Sequence, residues 1–263
     1  MLHASTYARP EALPSGGVIV VGASASGVQI ARALARAGRA VTLSVGRHTR
    51  LPRRYRGRDI FQWLDRAGAL DDRWTEVRDL AAARRQPSLQ LSSHGRVDLG
   101  ALRQDGVRLA GRTTGIVGGR ILLADTLAEE MVAAEARLGR TLTRIDAHIF
   151  ATGQNQPQDR LAWRTPSRPR RTPAAIDLAA EGIGTVIFAT GYGRDYGWLD
   201  LPVLDRAGEL MHRGGVLPLP GLYALGLSFM RRRSSNSIDG VGRDAEELAA
   251  HLSGFLGQRR LAA

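Results

Sequence analysis

The hydrophobic pattern of this chain is clearest between Val18 and Val45. Val18-Ile19-Val20-Val21 is a continuous apolar run, expected of a strand buried on both faces of a parallel sheet. After Gly22-Ala23-Ser24-Ala25-Ser26-Gly27, the apolar residues Ile30, Ala31, Leu34 and Ala35 recur at helical spacing, and Gly38 marks the stop. Ala40 to Val45 reads as a second strand. The predicted unit is strand, glycine turn, helix, strand.

The remaining pattern is weaker but ordered. Met1 to Gly17 is a polar lead-in with Pro10 and Pro14 and no predicted strand. Leu51 to Arg58 is a basic loop that includes Arg53 and Arg54. Asp59 suits a helix cap; Ile60, Trp63 and Leu64 share one face of the helix that follows, which stops near Gly68. A further helix is predicted over Asp72 to Arg84, and Trp63 and Trp74 are read as core. Gly106–Arg112 and Arg120–Ala124 are predicted to form one hairpin around Gly118-Gly119. Leu127, Met131, Ala134, Leu138, Leu142, Ile145 and Ile149 recur every three or four residues, so a long amphipathic helix is expected from Asp125 to Phe150, with Gly153 as its stop. Gln154 to Pro173, with Arg168, Arg170 and Arg171, reads as a linker. Gly184 to Tyr192 is a buried strand entering a glycine turn, and Pro220 to Gly226 a similar strand. Arg231-Arg232-Arg233-Ser234-Ser235 is a basic loop, and Asp244 to Leu256 a closing helix.

Composition narrows the chemistry. The chain has 263 residues, no cysteine and a net charge of +12. Disulfides, thiolate metal sites and thiol-pair redox catalysis are excluded. The residues His3, His48, His94, His148, His212 and His251 are dispersed, without metal-ligand spacing. Every basic residue is arginine, scattered along the chain, and aromatics make up 5%. This is not the footprint of a nucleic-acid-binding surface. No apolar run reaches membrane-spanning length and the N-terminus has no signal core, so a cytoplasmic protein is expected.

The first unit carries the functional signal. Strand, glycine turn, helix and strand in this order describe half of a dinucleotide-binding fold. Gly22 makes the tight turn, Gly27 lets the helix approach the strand, and the helix start at Ser24, Ala25 and Ser26 offers N–H groups to a pyrophosphate. The middle glycine of the usual fingerprint is Ser24, whose hydroxyl can bond a phosphate oxygen. A plain strand–helix turn without nucleotide is the competing reading. Where an NAD site has an acid, the second strand ends in Ser44-Val45-Gly46-Arg47-His48-Thr49-Arg50. Arg47 and Arg50 suit the 2′-phosphate of NADP, with Arg53 or Arg54 as additions; the alternative is a solvated basic loop.

From the glycine turn at Gly22–Gly27, through Phe188-Ala189-Thr190-Gly191-Tyr192, to Pro220-Gly221-Leu222-Tyr223-Ala224-Leu225-Gly226, the chain resembles the flavin-containing monooxygenase family, in particular its bacterial flavoprotein members. The resemblance implies an α/β fold: a Rossmann-like NADPH-binding domain over 18–194 after a lead-in over 1–17, and over 195–263 the C-terminal remnant of a second, FAD-binding Rossmann-like domain. It implies NADP (NADPH) and FAD as cofactors, NADPH reducing the flavin and the reduced flavin activating oxygen for transfer to a small-molecule substrate. Thr190, Gly191 and Tyr192 would stand at the junction of the two cofactors, and Asp239 near the flavin. No catalytic acid, base or nucleophile is identified. The alternative is a stand-alone NADP-binding module or a non-catalytic remnant without flavin.

The family signature Phe-x-Gly-x-x-x-His is represented only by its end, His3 with Tyr7 following, so the first FAD-binding unit is expected to be missing, through a truncated gene, a start placed late, or a partner that supplies that half; a separate flavin-binding half or a homo-oligomer is the expected partner. Expressed alone, the chain should therefore purify colourless and fail to oxidise NADPH. An absorbance spectrum checks this, and a flavin band with stoichiometric FAD would contradict it.

Overall fold

A computed structural model describes residues 1–90, 97–154, 156–166 and 172–261, the side chains of 259–261 excepted. His94 and the linker arginines Arg168, Arg170 and Arg171 lie outside the described residues. The chain divides into two compact units, one of residues 1–63 and 87–191, the other of residues 64–86 and 192–263.

The first unit begins with β1 (Leu2–His3) and β2 (Gly17–Val21), then α1 (Ala25–Arg36) and β3 (Val41–Ser44). Short strands β4 (Thr49–Arg50), β5 (Arg54–Tyr55) and β6 (Arg58–Asp59) lead into α2 (Ile60–Arg66). After α3 (Leu80–Arg84) come β7 (Leu89–Gln90), α4 (Leu99–Gln104), β8 (Arg108–Ala110), β9 (Thr113–Val117), β10 (Arg120–Leu123) and α5 (Leu127–Ala151). Strands β11 (Ala175–Asp177) and β12 (Ile183–Phe188) complete the unit, and α6 (Val241–Leu261) closes the chain.

The main sheet is all parallel, in the order β1-β12-β2-β3-β8. Its centre is the apolar run of β2, whose Val18, Ile19 and Val20 are completely buried. Alternate residues of that strand face opposite ways. Val18 and Val20 pack with Val28, Ala31 and Leu34 of α1 and with Leu99 and Leu102 of α4. Ile19 and Val21 pack with Ile121, Leu123 and Ile176 of the antiparallel sheet β11-β10-β9. Each fully buried aliphatic side chain contributes roughly 1.5–3 kcal/mol. Burial on both faces thus explains why β2 is apolar throughout.

Several expectations hold. Gly38, Gly68 and Gly153 stand in the left-handed region just beyond α1, α2 and α5. The N–H of Phe61 donates to the Asp59 carboxylate at 2.9 Å, and Trp63 is fully buried. The expected helical face of α5 is its buried stripe.

Others are corrected. The lead-in contains a strand, because Leu2 and His3 pair with Ile187 and Phe188. The partner of β10 in the hairpin around Gly118-Gly119 is β9, not β8; β8 joins the parallel sheet beside β3. The segment from Asp72 to Arg84 is helical only over α3, where Asp79 caps by accepting from the Ala82 N–H at 2.8 Å. Trp74 is half-buried rather than core. Pro220 to Gly226 forms no strand, only a single bridge between Tyr223 and Val216. Arg232 of the basic loop is buried against Asp244 and Glu247, so the loop is held by ion pairs.

Candidate functional site

The site is built at the carboxyl edge of the parallel sheet, where β2 turns into α1. Gly22 has a φ of 108°, and a Cβ on it would stand 2.4 Å from the carbonyl oxygen of Ala189. A Cβ on Gly27 would stand 1.8 Å from the carbonyl oxygen of Gly22. The first turn of α1 therefore rests directly on the backbone of the glycine turn, which in turn rests on the end of β12. Neither contact admits a side chain. The same contact brings Thr190 to the glycine turn, its backbone nitrogen 3.6 Å from where a Cβ of Gly22 would be.

Ser24 occupies the N-cap with extended backbone, and its carbonyl accepts the first helical bond from the Val28 N–H at 3.1 Å. Its hydroxyl makes no capping bond. The N–H groups of the first turn, those of Ala25, Ser26 and Gly27 among them, have no acceptor within the helix. The Ala25 N–H donates to the Ser88 hydroxyl at 3.3 Å, and Gln90 Nε2 donates to the Ala23 carbonyl at 2.5 Å. The strand β7 thus lies along the turn. Gln90 is buried, and its Oε1 has no hydrogen-bond partner.

The end of β3 supplies positive charge. Arg47 is exposed there, and Arg137 reaches it from the middle of α5, donating from Nη2 to the His48 carbonyl at 2.6 Å. Burial first, and then the charge of Arg47, push the Arg137 guanidinium below its ordinary value. Among the described residues neither arginine has a carboxylate within ion-pair distance, and Arg137 Nε is buried without a partner. The stem of Arg112 lies beside Gly46 at the same edge, 3.4 Å from where a Cβ would be. Helix α5 is anchored further along, nine residues beyond Arg137: the Tyr55 hydroxyl donates to Asp146 at 2.7 and 2.9 Å, and burial, followed by that bond, raises Tyr55 to about 12. Burial also lowers His48, opposed by its bond to the Gly46 carbonyl and reinforced by the charges of Arg137 and Arg50.

Arg50 does not join them. It is 5% exposed, and its Nε and Nη2 donate to the two oxygens of Glu135 at 2.6 Å each, with a further bond from Nη2 to the Arg164 carbonyl at 3.0 Å. Its Nη1 also faces the Asp98 carboxylate at 3.9 Å, so the guanidinium is set against two acids of the fold. Arg53 is likewise paired with Asp59 at 2.7 Å, and Arg54 donates to the Gly57 carbonyl. Arg137 was missed in the sequence because its neighbourhood is made by a contact 89 residues away. The available signal was its position beside Ala134 and Leu138 on the buried stripe, where a charge needs a reason.

Of the other candidates, Gly191 has a φ of 96° and its carbonyl lies 3.1 Å from His3 Nε2, so the two ends of the family motifs meet here. Tyr192, 72% exposed, and Asp239, also exposed, belong to the second unit. Among the described residues, no group of histidines, aspartates and glutamates is arranged to hold a metal ion.

A doubly covered parallel sheet with a glycine turn at its carboxyl edge defines a dinucleotide-binding class of fold. No family model matches the chain. It is 32% identical over 250 residues to an uncharacterized oxidoreductase, CzcO-like, of Geobacillus kaustophilus, covering 94% of this chain and 55% of the relative. It is 24% identical over 254 residues to the uncharacterized oxidoreductase CzcO of Bacillus subtilis, covering 96% and 57%. The chain thus spans little more than half the length of the curated relatives it matches. Its fold matches a mutant flavin monooxygenase from Stenotrophomonas maltophilia with a TM-score of 0.54 and 14% identity, over 97% of this chain and 56% of that one. The chain is thus similar in sequence to proteins named as oxidoreductases, and its likeness to the monooxygenase is one of fold.

The close approach at Gly27 makes a direct prediction. Gly27→Ala forces the helix off the turn and should cost roughly 1–3 kcal/mol of stability, with a loss of NADPH affinity. Urea denaturation and nucleotide titration check it; unchanged stability and unchanged affinity together would contradict the packing described.

Proposed function

We propose that this chain binds NADPH at the glycine turn and serves a flavoprotein oxidoreductase reaction of monooxygenase type. The observation that carries the reading is the pair Arg47 and Arg137, two guanidiniums without carboxylate partners among the described residues at the end of β3, where an NAD site has an acid. The pyrophosphate would lie at the start of α1, against the N–H groups of Ser26 and Gly27 and the uncommitted hydroxyl of Ser24. The 2′-phosphate would be met by Arg47 and Arg137, with Arg112 nearby.

A bound reduced nicotinamide supplies a hydride. What this chain's residues do is bind and orient: Gly22 and Gly27 keep the backbone open to the phosphates, and the arginines select the phosphorylated ribose. The relatives' names, oxidoreductase and flavin monooxygenase, support a flavin as hydride acceptor. The residues described do not fit that flavin by themselves. Among them, one strand, glycine turn and helix of this kind exists, and it is the one at Gly22. We therefore derive no step through a flavin on this chain. The domain from residue 195 onward, with Asp239, is proposed as a flavin-side element on family resemblance. A stand-alone NADP-binding module shares the same nucleotide site. Supplying a flavin-binding half, in cis or as a separate chain, restores NADPH oxidation under the flavoprotein reading and leaves it absent under the module reading.

Calorimetric titration with NADPH and NADH tests the site. Arg47→Ala should weaken NADPH by roughly 1.5–3 kcal/mol and leave NADH unchanged, since one charge-assisted phosphate contact is lost. Equal affinity of the wild type for the two nucleotides would overturn the assignment.

A further inference from the structure

The second unit holds a cleft of about 590 Å³, a volume suited to a small organic ligand. All its lining residues belong to that unit, and none belongs to the nucleotide site. Trp74, Met211 and Leu217 supply apolar wall. The main chain at Trp74 is fixed by its neighbours: its backbone N–H donates to the Arg231 carbonyl at 3.1 Å, and Arg73 forms an antiparallel β-bridge with Arg232. Arg232 is locked in turn, donating to Asp244 at 2.5 Å and to Glu247. The wall is therefore built on a buried ion-pair network.

The ionisable side chains lining the cleft are Arg213, Arg231, His212 and His251. Arg231 is committed, with Nε on the Gly214 carbonyl at 2.8 Å and Nη1 on Glu247 at 2.7 Å. Arg213 is not. Its backbone is fixed by reciprocal bonds with Val216, at 2.9 and 3.2 Å, while its exposed guanidinium has no carboxylate partner among the described residues. His212 Nδ1 accepts from the Gly215 N–H at 3.1 Å, which leaves Nε2–H as the ring's donor. Burial, then the charges of Arg84 and Arg194, lower His212 to about 4, so the ring is neutral and its tautomer is set near pH 7. Arg194 is paired with Glu209, but Arg84 has a buried Nε without a partner. The cleft thus joins an apolar wall to the guanidinium of Arg213, with Arg84 and Arg194 near His212.

We propose that this cleft binds a small carboxylate with a flat apolar body. Arg213 and the Nε2–H of His212 hold the carboxylate, and Trp74, Met211 and Leu217 cover the body. A charge-assisted bond to an otherwise unpaired guanidinium gives the anion its advantage over a neutral ligand of the same shape.

The test uses the full chain, calorimetry and three probes: naphthoate, its neutral isostere naphthamide, and inorganic phosphate. Naphthoate should bind roughly tenfold or more tighter than naphthamide. Arg213→Gln, a change at an exposed side chain, should erase that difference, and Arg213→Lys should restore part of it. Phosphate should not displace naphthoate, and Arg47→Ala should leave naphthoate binding unchanged even if nucleotide binding is lost. Equal affinity for naphthoate and naphthamide, no effect of Arg213→Gln, displacement by phosphate, or loss of naphthoate binding in Arg47→Ala would each overturn the proposal.

Discussion

The architecture of the first unit depends on one close approach, that of Gly27 to the carbonyl of Gly22. A methyl group at position 27 would stand 1.8 Å from that oxygen. Helix α1 can lie against β2 at this distance only because no side chain intervenes. The same turn is pressed against Ala189 at the end of β12. Two parallel strands and a helix start are thereby gathered at one point of the sheet edge. The helix start points its unsatisfied N–H groups at the space above, which is the physical requirement for holding a phosphate group.

Charge is distributed on a second principle. In a chain whose cations are all arginines, those within the fold are neutralised where they are buried. Arg50 sits on Glu135, and Arg232 on Asp244 and Glu247. Removing one partner of such a pair leaves an uncompensated buried charge. Arg47 with Arg137 at the end of β3, and Arg213 on the cleft of the second unit, lack carboxylate partners among the described residues. Each has the means to bind an anion that the chain itself does not provide.

The strand, glycine turn, helix and strand were legible because β2 is buried on both faces and its sequence is apolar without interruption. The amphipathic stripe of α5 was legible for the same reason, in its own period. Other features were hidden because long-range contacts decide them. Leu2 and His3 are too short a strand to show a period, and pair only because Ile187 and Phe188 offer an edge. The hairpin was assigned to the wrong strand because β9, with Gly115 and half-exposed side chains, has no alternation to read, whereas β8 is apolar for membership of the parallel sheet. Arg50 reads as available because nothing local to it shows Glu135, 85 residues away. The resemblance identified the right class of fold, and the side chains add what it could not show: Arg50 is paired with Glu135, and Arg137 lies at the end of β3.

The most direct measurement is a crystal structure of the chain with NADP bound. The account predicts the pyrophosphate at the start of α1, within hydrogen-bond distance of the Ser26 and Gly27 N–H groups, and the 2′-phosphate between Arg47 and Arg137. A nucleotide bound elsewhere, or a 2′-phosphate left in solvent with both guanidiniums turned away, would contradict it.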